Sequence, residues 1–322
     1  MDLTQHTDLK TITQIYEHYE KQREGESHRP HLGGSQIGNV CKRALWYQFR
    51  HAWSPTFPGR ILRLFETGNR EEDRLIENLR AIGVKVWDRD PETGKQVRFT
   101  AHGGHFALSL DGVLENVPDA PATPHTFEAK TMNGKSFMAV VNKGVKEAKP
   151  VYWAQCQVGM LLAGLDRCLF MAVEKETDKI YGERIHLDRA EAQGLIDKAG
   201  EVIKANTPPP RLSDNPAFFE CKFCDYFPIC HGCKIPEVNC RTCAHSSAAI
   251  YDSDDGDAPW ECALHGNAGK VCADHLFIPP IMPPDLTVHQ AGNGWVDYLD
   301  ADTGEVIRNQ GNSVDLFESR MK

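Results

Sequence analysis

Asp111, followed by Glu128-Ala-Lys130, is the part of this chain best equipped for chemistry. On a strand, residues two apart share a face, so Glu128 and Lys130 point one way while Phe127 and Ala129 point the other, toward a core. The apolar run FALSLDG delivers Asp111 where a preceding strand ends at a glycine. Two carboxylates brought together suit Mg²⁺ or Mn²⁺, which take oxygen ligands and keep several waters. Such an ion lowers the pKa of a bound water and neutralises charge on a phosphate under attack. A lysine beside that water orients it or stabilises the transition state. The spacing points to metal-assisted hydrolysis of a phosphodiester. Taken alone, a D…E-x-K triplet arises by chance in many chains. Here the apolar stretch VYWAQCQVGMLLAGL adds weight, because it carries Gln155 and Gln157, and buried amides need partners.

The cysteines supply a second kind of chemistry. Eight of the eleven fall between Cys221 and Cys272. That clustering reads as metal ligation in a reducing compartment rather than as a disulfide framework. Cys221, Cys224 and Cys230, with Cys41 far upstream, offer four thiolates, a set that suits either [4Fe–4S] or zinc. Phe219, Phe223, Tyr226 and Phe227 stand beside them and are expected to wall off a cluster. Closing so long a loop restrains the unfolded chain, so a structural role comes first. Farther on, Cys240, Cys243, Cys262 and Cys272 read as a small zinc knuckle around the acidic loop YDSDDGDAP, with His275 or His265 able to replace one ligand. Cys233 is left over, and Cys156 and Cys168 read as core packing.

The elements that position these groups follow from length and pattern. A chain of 322 residues can bury a core without staples, and 41% hydrophobic with 25% charged residues are globular values. No apolar run reaches membrane-spanning length and the start lacks a signal-peptide layout, so the expectation is a soluble cytoplasmic protein, in the host cytoplasm if the chain is viral. The net charge of −9 argues against nonspecific coating of nucleic acid but leaves room for a local basic groove. Two basic runs flank the site in sequence and are read as that groove: Lys42, Arg43, Arg50, Arg60 and Arg63, then Lys130, Lys135, Lys143, Lys146 and Lys149.

Periodicity predicts helices over 1–24 and about 61–82, and one that carries Cys41 with Ser35 as its N-cap. Strands are expected over 84–87, 96–100, 105–113 and 126–131, then a buried helix over 151–165. A hairpin (168–174 and 180–186) and a helix over 187–205 follow. Beyond 221 regular structure is hard to see, except for a hairpin within 288–312. This order is that of an α/β or α+β fold.

With these residues in view, the chain resembles the PD-(D/E)XK nucleases of the RecB-like type. Asp111 matches their motif aspartate and Glu128-Ala-Lys130 their E-x-K, although Leu110 stands where the family's naming proline would be. The stretch YWAQCQVGM is similar to the glutamine motif of lambda-exonuclease (YqaJ-like) viral recombination nucleases, with Gln157 in the motif register. Gly68-Asn-Arg-Glu-Glu72 looks like the helix that supplies a further metal-site residue: Glu72, with Glu71 one register away. Cys41, Cys221, Cys224 and Cys230 are similar to the iron–sulfur staple of CRISPR-associated RecB-like exonucleases and AddB-type helicase–nucleases, which favours [4Fe–4S] over zinc there.

The resemblance spans about residues 35–231 and implies a restriction-endonuclease-like core, a mixed central sheet flanked by helices. It further implies a bacterial or bacteriophage exonuclease that processes DNA ends or single strands for recombination, repair or replication. Asp111, Glu128 and Glu72 would hold Mg²⁺ or Mn²⁺, with Lys130 and Gln157 completing the site. A single-strand-annealing or helicase partner and a homo-oligomeric state stay open; no membrane is involved. The linear partition is 1–34 as N-terminal helix and linker, 35–231 as nuclease domain, and 232–322 as zinc knuckle with a hairpin. The alternative is a non-catalytic nucleic-acid-binding or assembly factor, against which the intact Asp–Glu–Lys set argues.

Overall fold

The computed structural model describes residues 9–25, 28–251, 258–269 and 271–321. The first eight residues of the expected N-terminal helix and the centre of the acidic loop lie outside the described residues. The chain is a mixed α/β fold that divides into two compact units, each assembled from separated segments. The first comprises residues 1–28, 56–99 and 108–193; the second comprises 29–55, 100–107 and 194–322.

The first unit is built on a five-stranded sheet whose spatial order follows the chain. Its strands are β1 (Lys85–Trp87), β2 (Gly112–Glu115), β3 (His125–Met132), β4 (Arg167–Glu174) and β5 (Ile180–His186). The β3–β4 pair is parallel and the others are antiparallel. A parallel pair needs a crossover, and here two helices supply it, α3 (Gly134–Ala148) and α4 (Pro150–Ala163). The expected single strand over 105–113 is in fact two, Phe106–Ser109 and β2, and Asp111 occupies the break between them.

Helix α2 (Gly59–Ala81) places Leu75, Ile76 and Leu79 on one face of the sheet, against Leu114, Phe127, Ala129, Leu169 and Val173. It stops as expected at Gly83, whose φ of +87° a side chain would disfavour. On the opposite face, Phe137, Val140 and Val145 of α3 and Cys156 and Met160 of α4 pack on Met132, Phe170, Ala172 and Ile185. Each large apolar side chain buried this way contributes about 1.5–3 kcal/mol. Helix α3 escaped the sequence reading. Its cap is Asn133, whose side chain accepts from the Ser136 amide at 2.9 Å, and it breaks at Gly144, φ +74°. There the Glu183 carboxylate accepts the Val145 amide at 2.8 Å.

Helix α1 (Lys10–Arg23) lies along α2 without burying a residue. Tyr19 donates to Glu66, and Glu20 accepts the Gly59 amide at 2.7 Å. The backbones approach so closely that a Cβ on Gly59 would come within 2.2 Å of the Tyr16 carbonyl oxygen.

In the second unit the helix Lys42–Phe49 buries Leu45, Trp46, Tyr47 and Phe49. Its N-cap is Cys41, whose sulfur accepts the Ala44 amide at 3.4 Å; Ser35 instead lies in a separate turn. Arg50 is fully buried between the Trp46 and Trp260 rings and donates to the carbonyls of Ala205, Arg241 and Ser246. The expected C-terminal hairpin gains a strand: Leu286–Gly292, Trp295–Asp300 and Val306–Asn309 form one antiparallel sheet. A second small sheet joins Ser246–Ala248, Trp260–Cys262 and Gly266–Asn267. Among the described residues no helix is long and apolar enough to cross a membrane.

Candidate functional site

The β3 register turns Phe127 and Ala129 into the α2-facing core, as alternation predicts, and leaves Glu128 and Lys130 on the other face. Asp111, ahead of β2, is fixed by accepting the Ala129 amide on Oδ2 at 2.8 Å. Lys130 forms an ion pair with Glu128 and also donates to the Ala129 carbonyl at 3.1 Å. From α2, Glu72 accepts from Gln96 Nε2 at 3.1 Å and interacts electrostatically with Asp111 and Lys130. Glu71, one register away, faces Arg74 instead. Three carboxylates thus gather around one ammonium group, an arrangement that would carry two net negative charges with all three ionised.

The electrostatics record the strain of that arrangement. Burial pushes Glu128 up to about 8, with Lys130 opposing and Asp111 and Glu72 reinforcing the rise. Burial, then Asp111, pushes Glu72 up to about 7. Asp111 is raised by burial against the pull of Lys130. Burial works against the Lys130 proton, but Glu128 and then Asp111 more than offset it and keep the ammonium charged. Such a site gains from a divalent cation, and its carboxylate donors are those that hard ions prefer.

Helix α4 covers the site. The Tyr152 ring lies 5.4 Å from Lys130 Nζ, and Cys156 interacts electrostatically with Glu128 and Lys130. At Gly159 the helix comes so near Leu108 and Leu110 that a Cβ would sit 3.3 and 3.1 Å from their side chains. Tyr152, Cys156 and Gly159 therefore mark one face, as i, i+4 and i+7 must. Gln155 borders that face. Gln157 does not join the carboxylates: its Nε2 donates to the His186 carbonyl at 2.9 Å and its Oε1 accepts the Asp188 amide at 2.7 Å. Both ends of its amide are spent on the turn after β5. Sequence reasoning missed Tyr152 and Gln96; the clue to Tyr152 was its place four residues before Cys156.

The expected basic groove is largely spent on internal contacts. Arg50 is in the core, Lys42 pairs with Glu201, and Arg43 donates to the Pro209 carbonyl at 3.0 Å. In the later run, Lys143 pairs with Glu147, Lys146 with Glu191, and Lys149 donates to Ser136. Charge runs of this kind look alike in sequence whether they face solvent or a carboxylate.

Cys41, Cys221, Cys224 and Cys230 all belong to the second unit. Cys41 and Cys230 act electrostatically on both Cys221 and Cys224, and burial pushes Cys224 up to about 11. The aromatic wall is only half built: Phe219 and Phe223 are 71% and 68% exposed, while Tyr226 packs 5.8 Å from the Tyr47 ring. Cys240, Cys243, Cys262 and Cys272 line one small cavity together with Ser246 and His275. His275 is 2% exposed; its Nε2 donates to the Asn239 carbonyl at 3.1 Å, and among the described residues Nδ1 has no hydrogen-bond partner. Burial lowers its pKa to about 4, so it stays neutral. At the edge of that cavity, the ligand atoms of His265, Cys272 and Asp274 lie within 4.8 Å of one another. Among the described residues, no three sulfurs of either cysteine set are drawn together that closely.

No family profile and no curated protein matches the chain. Among solved structures it is similar to SSO0001, at 16% identity and a TM-score of 0.41, over 70% of this chain and 97% of that one. It is also similar to an alkaline exonuclease (LHK-Exo) from Laribacter hongkongensis, at 17% identity and a TM-score of 0.39, over 58% and 90% of the two chains. The same exonuclease in complex with dAMP gives 15% identity and a TM-score of 0.38, over 59% and 90%.

Proposed function

We propose that this chain is a divalent-metal-dependent deoxyribonuclease of the PD-(D/E)XK type, acting as an exonuclease on DNA ends. The observation that carries the reading is the convergence of Glu72, Asp111 and Glu128 on Lys130. Glu72, Asp111 and Glu128 would hold Mg²⁺ or Mn²⁺, which supplies an activated water and neutralises phosphate charge when bound. Lys130 keeps its proton and donates to the oxygen on which charge develops. Tyr152 shields that ammonium from bulk water. Gln155, on the border of the covering face, replaces Gln157 as the amide that positions substrate. A restriction-endonuclease-like core within 35–231, with 232–322 as an appended module, belongs to the same proposal, and the mixed five-stranded sheet of the first unit is what speaks for the core.

Cys41, Cys221, Cys224 and Cys230 would carry a [4Fe–4S] cluster, as the resemblance implies, and their mutual electrostatic action supports the four as one set. Cys240, Cys243, Cys262 and Cys272 would hold zinc, and their shared cavity supports that set. His275, anchored through Nε2, lines the same cavity. The task is end processing in recombination, repair or replication.

The test is digestion of end-labelled single- and double-stranded DNA by anaerobically purified protein with Mg²⁺, Mn²⁺ or EDTA, beside Asp111→Ala. Metal-dependent loss of label in the unmutated protein alone is the expected result. Iron-loaded protein that leaves both substrates intact would sink the nuclease reading in favour of a binding factor.

A further inference from the structure

We infer that the C-terminal module carries a second, solvent-open metal site made by His265, Cys272 and Asp274, which shares the Cys272 thiolate with the four-cysteine cavity. The inference rests on the zinc reading of that cavity. Cys272 belongs to both groups: it lines the cavity with Cys240, Cys243 and Cys262, and its sulfur lies within 4.8 Å of ligand atoms of His265 and Asp274. A zinc ion with sulfur at about 2.3 Å and nitrogen or oxygen at about 2.0–2.2 Å holds its ligand atoms about 3.5 Å apart, so the group closes by about an ångström. A thiolate has lone pairs for two cations, and a shared sulfur between two ions offsets their repulsion.

The backbone holds these ligands in place. Residues 272–275 form a turn in which the Cys272 carbonyl accepts the His275 amide at 3.2 Å. The Asn312 amide donates to the Ala273 carbonyl at 2.7 Å, and Ser313 Oγ donates to the His275 carbonyl at 2.7 Å. Gly311 is bare because a Cβ there would come 2.5 Å from the Ala273 oxygen. Asp274 and Cys272 are thus pinned on one turn. His265 reaches them from the turn between the strands Trp260–Cys262 and Gly266–Asn267, and bonds Asp274 Oδ2 at 3.0 Å.

The donors, one imidazole, one thiolate and one carboxylate, suit a borderline divalent ion such as Zn²⁺ or Co²⁺. All three residues are exposed, which leaves the fourth position to water. Three protein ligands with an open position mark an exchangeable site, whereas a closed set of four marks a structural one.

The experiment counts zinc, separately from iron, in the full anaerobically purified chain and in His265→Ala, Asp274→Asn and Cys262→Ser. Because His265 and Asp274 are exposed, their variants should fold and melt like the unmutated protein once a weak chelator has stripped its fast zinc. The expected result is one zinc fewer in His265→Ala and in Asp274→Asn. A weak chelator should strip one zinc quickly from the unmutated protein and none from these two. Cobalt-substituted protein should lose part of its sulfur-to-metal absorption in both and keep the rest. Zinc unchanged in His265→Ala and Asp274→Asn but reduced in Cys262→Ser, with no fast fraction, would make His265–Asp274 an ordinary ion pair and overturn the inference while the cavity reading stands. Zinc that survives Cys262→Ser but vanishes in His265→Ala would refute the cavity reading and leave the open site alone. Zinc content that none of the variants alters refutes both.

Discussion

Binding of Mn²⁺ to the protein alone, without DNA, is expected to tighten as the pH rises from about 6.5 to about 9. A carboxylate must shed its proton before it ligates, so the ion competes with protons for the site. Burial holds Glu128 up to about 8 and Glu72 up to about 7, and Asp111 is raised as well. At pH 6.5 the proton on Glu128 alone weakens binding about 30-fold, and Glu72 brings the total to about 100-fold, or about 3 kcal/mol at about 1.4 kcal/mol per pH unit. Above about pH 9 the dependence levels off, since little proton is left to displace. Calorimetry in two buffers of different ionisation heat would count the release, expected at about one to two protons near pH 7. Affinity that does not change with pH, with no proton release, would refute the argument. The same shifts fix the sign for stability. These carboxylates bind more protons folded than unfolded, so their contribution is full below the ordinary carboxylate range and is lost as the pH rises through about 8. The ion-free protein should therefore melt lower at pH 9 than at pH 6, and saturating Mn²⁺ should remove much of the difference.

Two further outcomes separate site from scaffold. Gln157→Ala strands the His186 carbonyl and the Asp188 amide and should cost about 1–3 kcal/mol of stability, whereas Gln155→Ala should keep the melting temperature and lower turnover; the reverse pattern would restore Gln157 to the site. Phe219→Ser and Phe223→Ser, at exposed positions, should leave iron content and visible absorption unchanged while Cys41→Ser abolishes both, and loss of iron in the phenylalanine variants would reinstate the aromatic wall.

The legible part of the site was the part with a short period. A strand alternates every two residues, so the faces of Phe127, Glu128, Ala129 and Lys130 followed from type alone. Glu72 was reached through the resemblance, which left Glu71 one register away; the folded helix separates them, since Glu71 pairs with Arg74 while Glu72 meets Gln96. Helix α4 is buried along most of its length and shows no one-sided apolar stripe, so nothing in its pattern told Gln155 from Gln157, which point about 200° apart at 3.6 residues per turn. Arg50 read as part of a basic groove; only the folded chain brings the Trp260 ring against it, beside that of Trp46 one turn back. Helix α3 was hidden by its lysines and by Gly144, whose break divides it into two short pieces.

The attachment of α1 has a consequence in time. It buries no side chain and is fastened by Tyr19 to Glu66, by Glu20 to the start of α2, and by the bareness of Gly59. Fastenings of this kind are screened by salt and loosened by acid, unlike the apolar sandwich around the sheet. Helix α1 is therefore the fast-exchanging part of the first unit: its amides trade hydrogen for deuterium through a local opening, while those of β3 and β4 wait for far larger excursions. A single methyl group at position 59 would lever it open for good.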